Sequence, residues 1–367
     1  MSHKKKILIV LPNDNLGGAE QFLKLLGDYF KEKKVASVFV IFFKKRKSGA
    51  WDKSEFISYY GASNKERYGV FNVIKSIYKL RHINFDYTFT SHIHTNGLVG
   101  LMRRLNVLKT KYHVGRESTS TFSRFDGLKL KIFKTQYRYG YPGLDLLICQ
   151  SELMKEQLIN GISWIKKATK IEVIGNPLDL EKIKTLALVK INKIMFDGPY
   201  IVSAGRLIPE KGYEILIESF AILHFDFPDY KLVIFGEGLL RNKLEGKIAD
   251  LGLKHKILMP GFVDNIYPYF REAKLCVVSS RIEGFPNVLL QMMSQNTNVV
   301  STKCAGGIEN LKGVYVSETN DVNDLATQME KCLVTDNTKN RKLFDDELDT
   351  RSVESFVSKI DFYLNEA

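Results

Sequence analysis

An acid lies beside an amide-rich turn in the segment SSRIEGFPNVLLQMMSQ, residues 279–295. Glu283 precedes Gly-Phe-Pro-Asn, and this turn opens directly into an apolar segment of helical character, for which we predict Asn287 as the cap. Free amides at the start of a helix can bind an anion. A carboxylate beside an anion is costly unless it contacts neutral polar groups, and sugar hydroxyls are such groups. The segment therefore predicts a site that combines phosphate and sugar, as in a nucleotide sugar.

Two cations follow another predicted strand, in SAGRLIPEKGYEIL. Arg206 leaves the end of the strand, and Lys211 lies five residues further on, before a helix. Arginine offers a planar fork and lysine a compact charge, so the two together suit a diphosphate. They would hold the bound group and also neutralise a departing phosphate. The alternative is a surface ion pair between Glu210 and Lys211.

Two glycine-containing junctions complete this set. In VIFGEGLLRNKL a strand is followed by Gly236 and Glu237, which indicate a wall for a base or ribose, although many turns in α/β proteins look alike. In LPNDNLGGAEQF the pair Gly17 and Gly18 opens a helix and directs amides at a ligand. The second motif is not G-x-G-x-x-G, so a dinucleotide fingerprint is absent. A tight turn that requires glycine is the alternative for it.

The sequence disfavours a metal site and catalysis by a side-chain nucleophile. His92 and His94, in SHIHTNGL, are a pair at i and i+2 without a third ligand, and no D-x-D motif is present. No Ser-His-Asp or Cys-His arrangement can be assigned. The four cysteines are scattered, without C-x-x-C, which indicates buried reduced thiols rather than zinc. We expect no metal and no cofactor.

The predicted elements are short apolar strands that alternate with helices. In the second half they are expected at 200–203, 231–235, 256–259, 274–279, 298–302 and 313–316, and in the first half at 5–11, 36–43, 85–90, 144–149 and 171–174. Uniformly apolar strands between helices indicate a parallel sheet covered on both faces. The fold class is therefore α/β, with two tandem Rossmann-like, doubly wound domains facing across a cleft. Ligands in such folds bind beyond the carboxyl ends of the strands.

The length and the charge of the chain limit the number of domains and the classes of partner. A chain of 367 residues exceeds what one core usually supports, and its net charge of +13 is unevenly spread. Residues 1–180 carry 31 basic and 15 acidic residues, a net +16, whereas residues 181–367 carry 23 and 26, a net −3. The amino-terminal half thus suits an anionic partner, either a membrane surface or nucleic acid, or is a solvated basic face. The first apolar run, 7–11, is too short for a signal peptide, and no run could span a membrane.

One stretch of the basic half mixes cations and aromatic rings, DGLKLKIFKTQYRYGYPG at residues 126–143. Lysines and arginines there meet the rings of Phe133, Tyr137, Tyr139 and Tyr141. This composition suits the headgroup zone of a bilayer. Nucleic-acid binding would use the same charge, but no helix-turn-helix, RRM or zinc pattern accompanies it.

Four motifs, with the gaps between them, together resemble the retaining glycosyltransferases of family 4: GGAE, SAGRLIPEKGYEILIESF, FGEGLLRNKLE and MPGFVDNIYPYFREAKLCVVSSRIEGFPNVLLQ. The resemblance is specific over residues 197–310 and looser over 1–180, and it implies the GT-B fold. It places Glu283 at the donor sugar, Arg206 and Lys211 on the diphosphate, and the donor-side contacts at Phe262, Val263, Gly284, Phe285, Pro286, Asn287, Val288 and Leu289. The family pattern has a second Glu eight positions after the first. Gln291 stands there, which implies a weaker contact with the ribose.

The resemblance also implies an organisation of the chain. An acceptor-binding domain would span 1–190, a nucleotide-sugar-binding domain 191–350, and a last helix, 351–367, would cross back to the first domain. Many relatives carry a His near the acceptor, in the region that KYHVGRESTS resembles, with His113 within the strand. The neighbourhood here carries other residues, so our acceptor candidates are Arg116, Glu117, Ser118, His92 and His94.

These inferences predict a retaining transferase of a hexosyl or N-acetylhexosaminyl group. The donor would be a nucleotide sugar, UDP in preference to GDP, and the acceptor a polyprenyl-diphosphate-linked saccharide of bacterial surface polysaccharide (O-antigen or capsule) synthesis. The protein would be cytoplasmic, bound peripherally to the inner face of the membrane, and would bind no nucleic acid. The alternatives are a nucleotide-sugar epimerase or sugar-nucleotide-binding protein of the same fold, or a basic nucleic-acid-binding protein.

Overall fold

The computed structural model describes residues 4–14, 18–33, 36–44, 51, 57–59, 68–119, 121–190 and 198–366. The chain divides into two compact units. The first unit comprises residues 1–178 together with 353–367, and the second comprises residues 179–352.

The first unit contains a parallel sheet whose described strands run in the order β3-β2-β1-β4-β5-β6-β7. The strands are β1 (Lys5–Asn13), β2 (Ala36–Lys44), β3 (Ile57–Tyr59), β4 (Asn84–Ser91), β5 (Lys109–Arg116), β6 (Leu146–Cys149) and β7 (Lys170–Val173). The helices are α1 (Gly18–Glu32), α2 (Gly69–Lys79), α3 (Ile93–Arg104), α4 (Thr121–Arg124), α5 (Gly127–Gly140), α6 (Glu152–Gly161) and α7 (Ile165–Ala168).

The second unit repeats the scheme with a parallel sheet in the order β10-β9-β8-β11-β12-β13. Its strands are β8 (Tyr200–Ala204), β9 (Lys231–Phe235), β10 (Ile257–Gly261), β11 (Leu275–Val278), β12 (Val299–Thr302) and β13 (Tyr315–Ser317). Its helices are α8 (Leu180–Ala187), α9 (Tyr213–Asp226), α10 (Arg241–Asp250), α11 (Tyr267–Glu272), α12 (Asn287–Met293), α13 (Val322–Val334) and α14 (Asn340–Asp349), followed by α15 (Val353–Asn365) of the first unit.

Burial follows the hydrophobic patterns of the sequence. The run Ile7–Leu11 of β1 is fully buried, as expected of a central strand covered on both faces. In α9 the residues Tyr213, Leu216, Ile217 and Phe220 are buried on one stripe, against β8 and β9. All six strands predicted in the second half are confirmed, and both units are doubly wound α/β domains.

The second unit begins earlier than the predicted division at 190/191. Helix α8 packs on α11, and Asn265 Nδ2 donates to the carbonyl of Leu186 at 2.8 Å. Residues 179–190 therefore belong with the second sheet rather than the first. The helix lacks the long apolar stripe that would have indicated its partner, because only Ile183 and Ala187 are buried.

The last helix, α15, is part of the core of the first unit. Its buried side chains contact α1, and the rings of Phe356 and Phe22 meet edge-to-face with centroids 5.2 Å apart. Tyr87 Oη donates to Asp361 Oδ1 at 2.6 Å, and Lys170 Nζ donates to the carbonyl of Tyr363 at 2.7 Å. Residues that are last in sequence thus complete the first domain.

We expect Phe356→Ala to destabilise the first unit by about 3–5 kcal/mol, because it leaves a cavity in this core. Phe362→Ala, on the same helix, should cost about 1 kcal/mol or less. The difference follows from exposure, which is 3% for Phe356 and 57% for Phe362. Urea unfolding of both variants measures it, and equal losses of stability would contradict the packing described for α15.

The basic helix α5 differs from the prediction for residues 126–143. Phe133, Tyr137 and Tyr141 are buried, so three of the four rings assigned to a membrane surface lie inside the unit. They are spaced at i, i+4 and i+8, which is the spacing of a core-facing stripe. Tyr139 remains exposed, with the lysines of the helix. Among the described residues, no helix is both long and apolar enough to cross a bilayer.

Candidate functional site

The predicted donor residues of the second unit follow four neighbouring strands. Glu283 follows β11, Arg206 follows β8, Gly236 follows β9 and Phe262 follows β10, and these strands are adjacent in the sheet. The strand ends are joined by backbone hydrogen bonds from Gly205 N to the carbonyl of Phe235, 2.9 Å, and from Gly236 N to the carbonyl of Gly261, 2.8 Å. The fold therefore brings these four junctions to one edge of the sheet.

Lys211 and Glu283, which are 72 residues apart in sequence, form the centre of this edge. Lys211 Nζ donates to Glu283 Oε1 at 2.5 Å, and the two side chains are 17% and 19% exposed. Ser280 Oγ donates to the same carboxylate oxygen at 2.9 Å. The alternative of a surface pair between Glu210 and Lys211 is not what the structure has, because Lys211 is paired with Glu283.

The loop that carries Glu283 is fixed by the end of β12. Glu283 N donates to the carbonyl of Cys304 at 2.7 Å, and Thr302 Oγ1 donates to the carbonyl of Ser280 at 2.5 Å. Burial raises the pKa of the Cys304 thiol to about 12, so the thiol stays protonated and is a poor nucleophile. Sequence reasoning missed Ser280 and Thr302, although the Ser279-Ser280 pair at a strand end was a signal.

The turn after Glu283 differs in two details from the prediction. Helix α12 starts at Asn287, and Pro286 occupies the cap position without a side-chain cap, so the prediction of Asn287 as cap is wrong. Proline is suited to this extended position because it has no amide hydrogen to satisfy. The amide of Leu289 already donates to the carbonyl of Pro286 at 3.0 Å, so it is not available to a ligand.

Other amides of the turn remain available. Within the part of the chain that the structure describes, the amides of Gly284, Phe285 and Val288 have no hydrogen-bond partner. The Phe285 ring is buried, with the Arg351 guanidinium 5.2 Å from its centroid, so only the backbone of Phe285 can meet a ligand. These amides offer an anion three donors next to Glu283.

Arg206 is the exposed cation of the edge. Its side chain makes no ion pair or hydrogen bond with any described residue. The preceding residue, Gly205, lies against the aliphatic stem of Lys211, so the Lys211 side chain passes beside the backbone that leads into Arg206. Lys211 is thus held by Glu283, and Arg206 is free to bind an anion.

The predicted wall for a base or ribose, after β9, carries an ion pair. The Glu237 carboxylate accepts from Arg241 at two atoms, 2.7 and 2.8 Å, and this pairing lowers the pKa of Glu237. Phe262 is 71% exposed and can meet an aromatic ring, and Val263 beside it is half-buried. Gln291 Nε2 is 3.5 Å from Tyr267 Oη.

In the first unit, His92 connects three elements. His92 Nδ1 is 2.9 Å from Ser118 Oγ after β5, and His92 Nε2 is 3.3 Å from Glu20 Oε1 of α1. The backbone of His92 has φ 77° and ψ 142°, a conformation that L-residues rarely adopt and that is enriched at functional sites. His94 lies two residues further on, in α3, and its Nδ1 is 2.7 Å from Gln136 Nε2. His92 and Ser118, both predicted at the acceptor, are thus in contact.

The structure corrects the prediction that Arg116 and Glu117 contact an acceptor, and one of the two predicted glycines lies outside the described residues. Arg116 and Glu117 are buried, at 3% and 1% exposure, so their side chains cannot contact an acceptor directly. β5 is an interior strand, paired with β4 on one side and β6 on the other. Gly17 lies outside the described residues, whereas Gly18 is the exposed first residue of α1.

Arg116 and Glu117 instead belong to a buried polar network that includes Asn176 and Tyr141. Arg116 donates to Asn176 Oδ1 at 2.6 Å, and Tyr141 Oη donates to Glu117 Oε1 at 2.6 Å. Burial lowers the pKa of Arg116 to about 10 and raises the pKa of Glu117 to about 7. The network therefore supports the strand end rather than binding a ligand.

Glu117 makes the stability of the first unit depend on pH. Its folded pKa of about 7 exceeds the ordinary value of 4.5, so the folded state holds a proton that the unfolded state has released between these values. The contribution is complete below pH 4.5 and is lost as the pH rises towards 7. Burial lowers the pKa of His113 to about 3, which acts in the opposite direction between pH 3 and 6.5.

We therefore expect Glu117→Gln to remove the loss of folding stability that ionisation of Glu117 causes as the pH rises. Relative to the natural chain, the variant should gain stability as the pH is raised from 5 to 8. Comparing both proteins in urea at each pH cancels the His113 contribution. A stability difference independent of pH would contradict a buried carboxyl that titrates near neutrality.

In the described part of the chain, no three His, Cys, Asp or Glu residues are grouped as metal ligands. All four cysteines are buried and free, as predicted. At the edge of the second sheet, the groups available to a ligand include the cations Arg206 and Lys211, the Glu283 carboxylate and backbone amides.

Comparison with known proteins gives this geometry a context. Residues 187–344 match the family model for glycosyl transferases group 1. The chain is 28% identical over 320 residues to an uncharacterised glycosyltransferase of Methanocaldococcus jannaschii, covering 84% of this chain and 77% of that one. It is 31% identical over 234 residues to N-acetylgalactosamine-N,N'-diacetylbacillosaminyl-diphospho-undecaprenol 4-alpha-N-acetylgalactosaminyltransferase of Campylobacter jejuni, covering 64% of this chain and 62% of that enzyme.

Solved structures share the fold. An Anabaena protein crystallised with UDP and glucose superposes with a TM-score of 0.78 at 17% identity, and the match covers 99% of this chain and 100% of the other. At this identity the likeness establishes the fold. The chain has the GT-B fold of two Rossmann-like domains, and the segment that matches glycosyl transferases group 1 lies in its second unit.

Proposed function

We propose that the protein is a glycosyltransferase that moves a hexosyl or N-acetylhexosaminyl group from a nucleotide sugar to a saccharide acceptor. The observation that carries this proposal is the contact between Lys211 and Glu283 at the edge where Arg206 and unpaired amides also lie. Cations and amides suit a diphosphate, and a carboxylate beside them suits hydroxyls. The match of residues 187–344 to glycosyl transferases group 1 supports the same activity.

We place the nucleotide on the side of β9 and β10. The exposed Phe262 ring can stack on a base, and the paired Glu237 and Arg241 leave the backbone around Gly236 to line the ribose. We propose UDP in preference to GDP, and the Anabaena structure, which contains UDP, supports the choice. Gln291 would contact the ribose more weakly than the carboxylate expected at that position.

The proposed reaction retains the anomeric configuration. A double displacement would require a carboxylate nucleophile about 5 Å from a second acid. Among the described residues, the carboxylate bonded to Lys211 is that of Glu283, and it is already engaged by two donors. We therefore favour front-face transfer, in which the acceptor oxygen bonds to the anomeric carbon on the side from which the diphosphate leaves.

Atoms and charges balance in this scheme without a metal. The bond between the anomeric carbon and the diphosphate oxygen breaks, the new glycosidic bond forms, and the acceptor proton passes to the departing diphosphate. Lys211, Arg206 and the free amides stabilise the negative charge that develops on the leaving group. Glu283 accepts hydrogen bonds from donor-sugar hydroxyls and holds the ring in position.

We propose a saccharide linked to a polyprenyl diphosphate as the acceptor, in the synthesis of a bacterial surface polysaccharide such as O-antigen or capsule. The name of the Campylobacter jejuni relative specifies a diphospho-undecaprenol substrate, which supports this class. The excess of basic residues in the first half supports binding to an anionic membrane surface, and we place the protein at the inner face of the membrane.

The test is transfer by the purified protein in EDTA. UDP- and GDP-linked hexoses and N-acetylhexosamines are offered with a polyprenyl-diphosphate-linked saccharide, and release of nucleoside diphosphate is followed by chromatography. We expect release with a UDP-sugar, undiminished by EDTA, and a product whose anomeric configuration, read by NMR, is that of the donor. Loss of transfer in EDTA would overturn the metal-free scheme.

Other outcomes would identify the alternatives. Interconversion of the sugar without a new glycosidic bond would indicate an epimerase. Binding of UDP-sugars without turnover of any acceptor would indicate a sugar-nucleotide-binding protein. A gel shift at physiological salt that competitor DNA cannot abolish would indicate a nucleic-acid-binding protein.

A further inference from the structure

The first unit contains a cavity of about 800 Å³ between β1, α2, α3 and α5. The size falls within the range of roughly 300–1,000 Å³ that small-molecule sites occupy. Its walls are mainly apolar, with the side chains of Phe43, Val70, Leu98, Leu101 and Tyr139. An apolar lining favours a ligand with an apolar body rather than a free sugar.

One end of the cavity is polar. Glu20 and His92 line it, and His92 contacts Ser118 at 2.9 Å. These residues lie at the carboxyl edge of the first sheet, where ligands of doubly wound domains bind. A ligand that fills the cavity would therefore have an apolar body and a polar end directed at His92.

Helix α2, on one side of the cavity, exposes an apolar stripe. Phe71, Ile74 and Tyr78 lie at i, i+3 and i+7 on its outer face, and Phe71 is 68% exposed. The opposite face of the helix, with Val73 and Ile77, packs on the core of the unit. A helix that is apolar on both faces has an outer face that suits contact with another apolar phase.

Helix α5, on the other side, has the same property. Leu128 is 75% exposed, and Ile132 lies one turn further along the same face. Together the two helices carry six basic residues and no acidic residue. The basic residues are Lys75, Lys79, Lys129, Lys131, Lys134 and Arg138. Exposed apolar side chains among cations suit the surface of an anionic bilayer, where the chains meet lipid and the cations meet phosphate.

We propose that this cavity binds the apolar chain next to the diphosphate of the membrane-anchored acceptor, with α2 and α5 resting on the bilayer surface. The inference rests on the proposed function for the identity of the acceptor. It assigns the chain to the apolar walls and the saccharide hydroxyls to the polar end with Glu20 and His92, with the diphosphate between them. A lipid drawn from the membrane would then reach the strand ends without its chain crossing water.

The test measures binding rather than transfer. Farnesyl diphosphate, which has a short isoprenoid chain, is titrated against the purified full-length protein, with inorganic diphosphate as the chain-free probe. We expect farnesyl diphosphate to bind at least about tenfold more tightly, since two buried methylene groups already give this factor. Equal affinities for the two probes would overturn the proposal.

Two variants locate the binding. Thr135 is exposed on α5 and lines the cavity, so Thr135→Trp fills the entrance without disturbing the core, and it should weaken farnesyl diphosphate binding by about tenfold or more. Phe225→Ser, at an 89% exposed phenylalanine of the second unit, is the matched control and should change nothing. Unchanged binding in Thr135→Trp would place the chain elsewhere and contradict the proposal.

Vesicles separate the acceptor from bulk lipid. Sedimentation with phosphatidylglycerol vesicles should decrease in the double variant Phe71→Ser, Ile74→Ser, whereas these vesicles should not displace farnesyl diphosphate. Displacement would assign the cavity to bulk phospholipid and overturn the assignment to the acceptor. Failure of glycosyl transfer from every donor would refute the proposed function but leave these binding measurements interpretable, so the two failures can be told apart.

Discussion

Lys211→Ala is expected to lower kcat/KM for glycosyl transfer by about 10²–10³-fold, the loss typical when one preorganised charge is removed from the position where a leaving group becomes negative. The side chain is four-fifths buried against Glu283, so its charge acts where water screens little. Its removal also leaves the Glu283 carboxylate without its cation beside the diphosphate site. Both effects oppose the transition state.

Lys211→Arg should recover only part of the activity. Arginine keeps the charge, but its planar fork does not fit a position shaped for one compact ammonium group bonded to Glu283 Oε1. Lys247→Ala is the matched control, because Lys247 is also ion-paired, to Glu218, but lies between α9 and α10 away from the strand ends. The control should retain the rate of the natural chain.

A double-mutant cycle tests whether the pair acts as a unit. Glu283→Gln alone should also lower kcat/KM strongly, but Lys211→Ala with Glu283→Gln should lose less than the two single losses combined, because the first change already breaks the pair. Initial rates of nucleotide release over a range of donor concentrations give the four constants. Full activity of Lys211→Ala would remove the basis for the diphosphate assignment.

The pair shows what the sequence could and could not predict in this site. Patterns of strand and helix, with the family resemblance, placed both Lys211 and Glu283 at the donor. The bond between them was not predicted, because it joins loops 72 residues apart and depends on the order of β8 and β11 in the sheet. Sheet order is a tertiary property, and local patterns do not specify it.

The first unit shows a second limit. The composition of α5 predicted a membrane surface, but its aromatic residues were assigned to that surface without regard to their spacing. At i, i+4 and i+8, Phe133, Tyr137 and Tyr141 form the buried face, whereas the exposed apolar residues are Leu128, Ile132 and Tyr139. Composition identified the helix, whereas periodicity would have identified its faces.

Burial at strand ends was a third source of error. Arg116 and Glu117 were chosen as acceptor contacts because they stand in the region where the family resemblance implies a residue near the acceptor. Both lie at the end of an interior strand, where Arg116 donates to Asn176 and Tyr141 donates to Glu117 Oε1, while Glu117 Oε2 is buried without a hydrogen-bond partner among the described residues. A short sequence motif cannot predict such a network, because the residues that hydrogen-bond to Arg116 and Glu117 come from elements distant in sequence.

Gly236→Ala is expected to destabilise the second unit by about 2–4 kcal/mol and to weaken UDP binding by at least about tenfold. Gly236 follows β9 with φ +132°, a conformation that alanine adopts only with strain. An added Cβ would lie 1.9 Å from the carbonyl oxygen of Gly205, which is backbone and cannot rotate away. The substitution must therefore move the ends of β8 and β9 apart.

The loss of binding follows from the same displacement. Gly205 precedes Arg206 and touches the stem of Lys211, so a shift of its backbone moves both cations away from their positions at the edge. Positioning is the main contribution that this edge makes, and errors of about 1 Å can cost two orders of magnitude in rate. Binding of UDP by calorimetry and unfolding in urea measure the two consequences separately.

Gly246→Ala is the matched control within the same unit. Gly246 lies in the exposed middle of α10, and an added Cβ there would meet nothing within 4 Å. Alanine should therefore stabilise this helix by up to about 1 kcal/mol, through its higher helix propensity, and leave UDP binding unchanged. If Gly236→Ala matched Gly246→Ala in both measurements, the strand ends would not be in the close contact that holds Arg206 and Lys211 together, and the proposed grip on the diphosphate would lose its structural support.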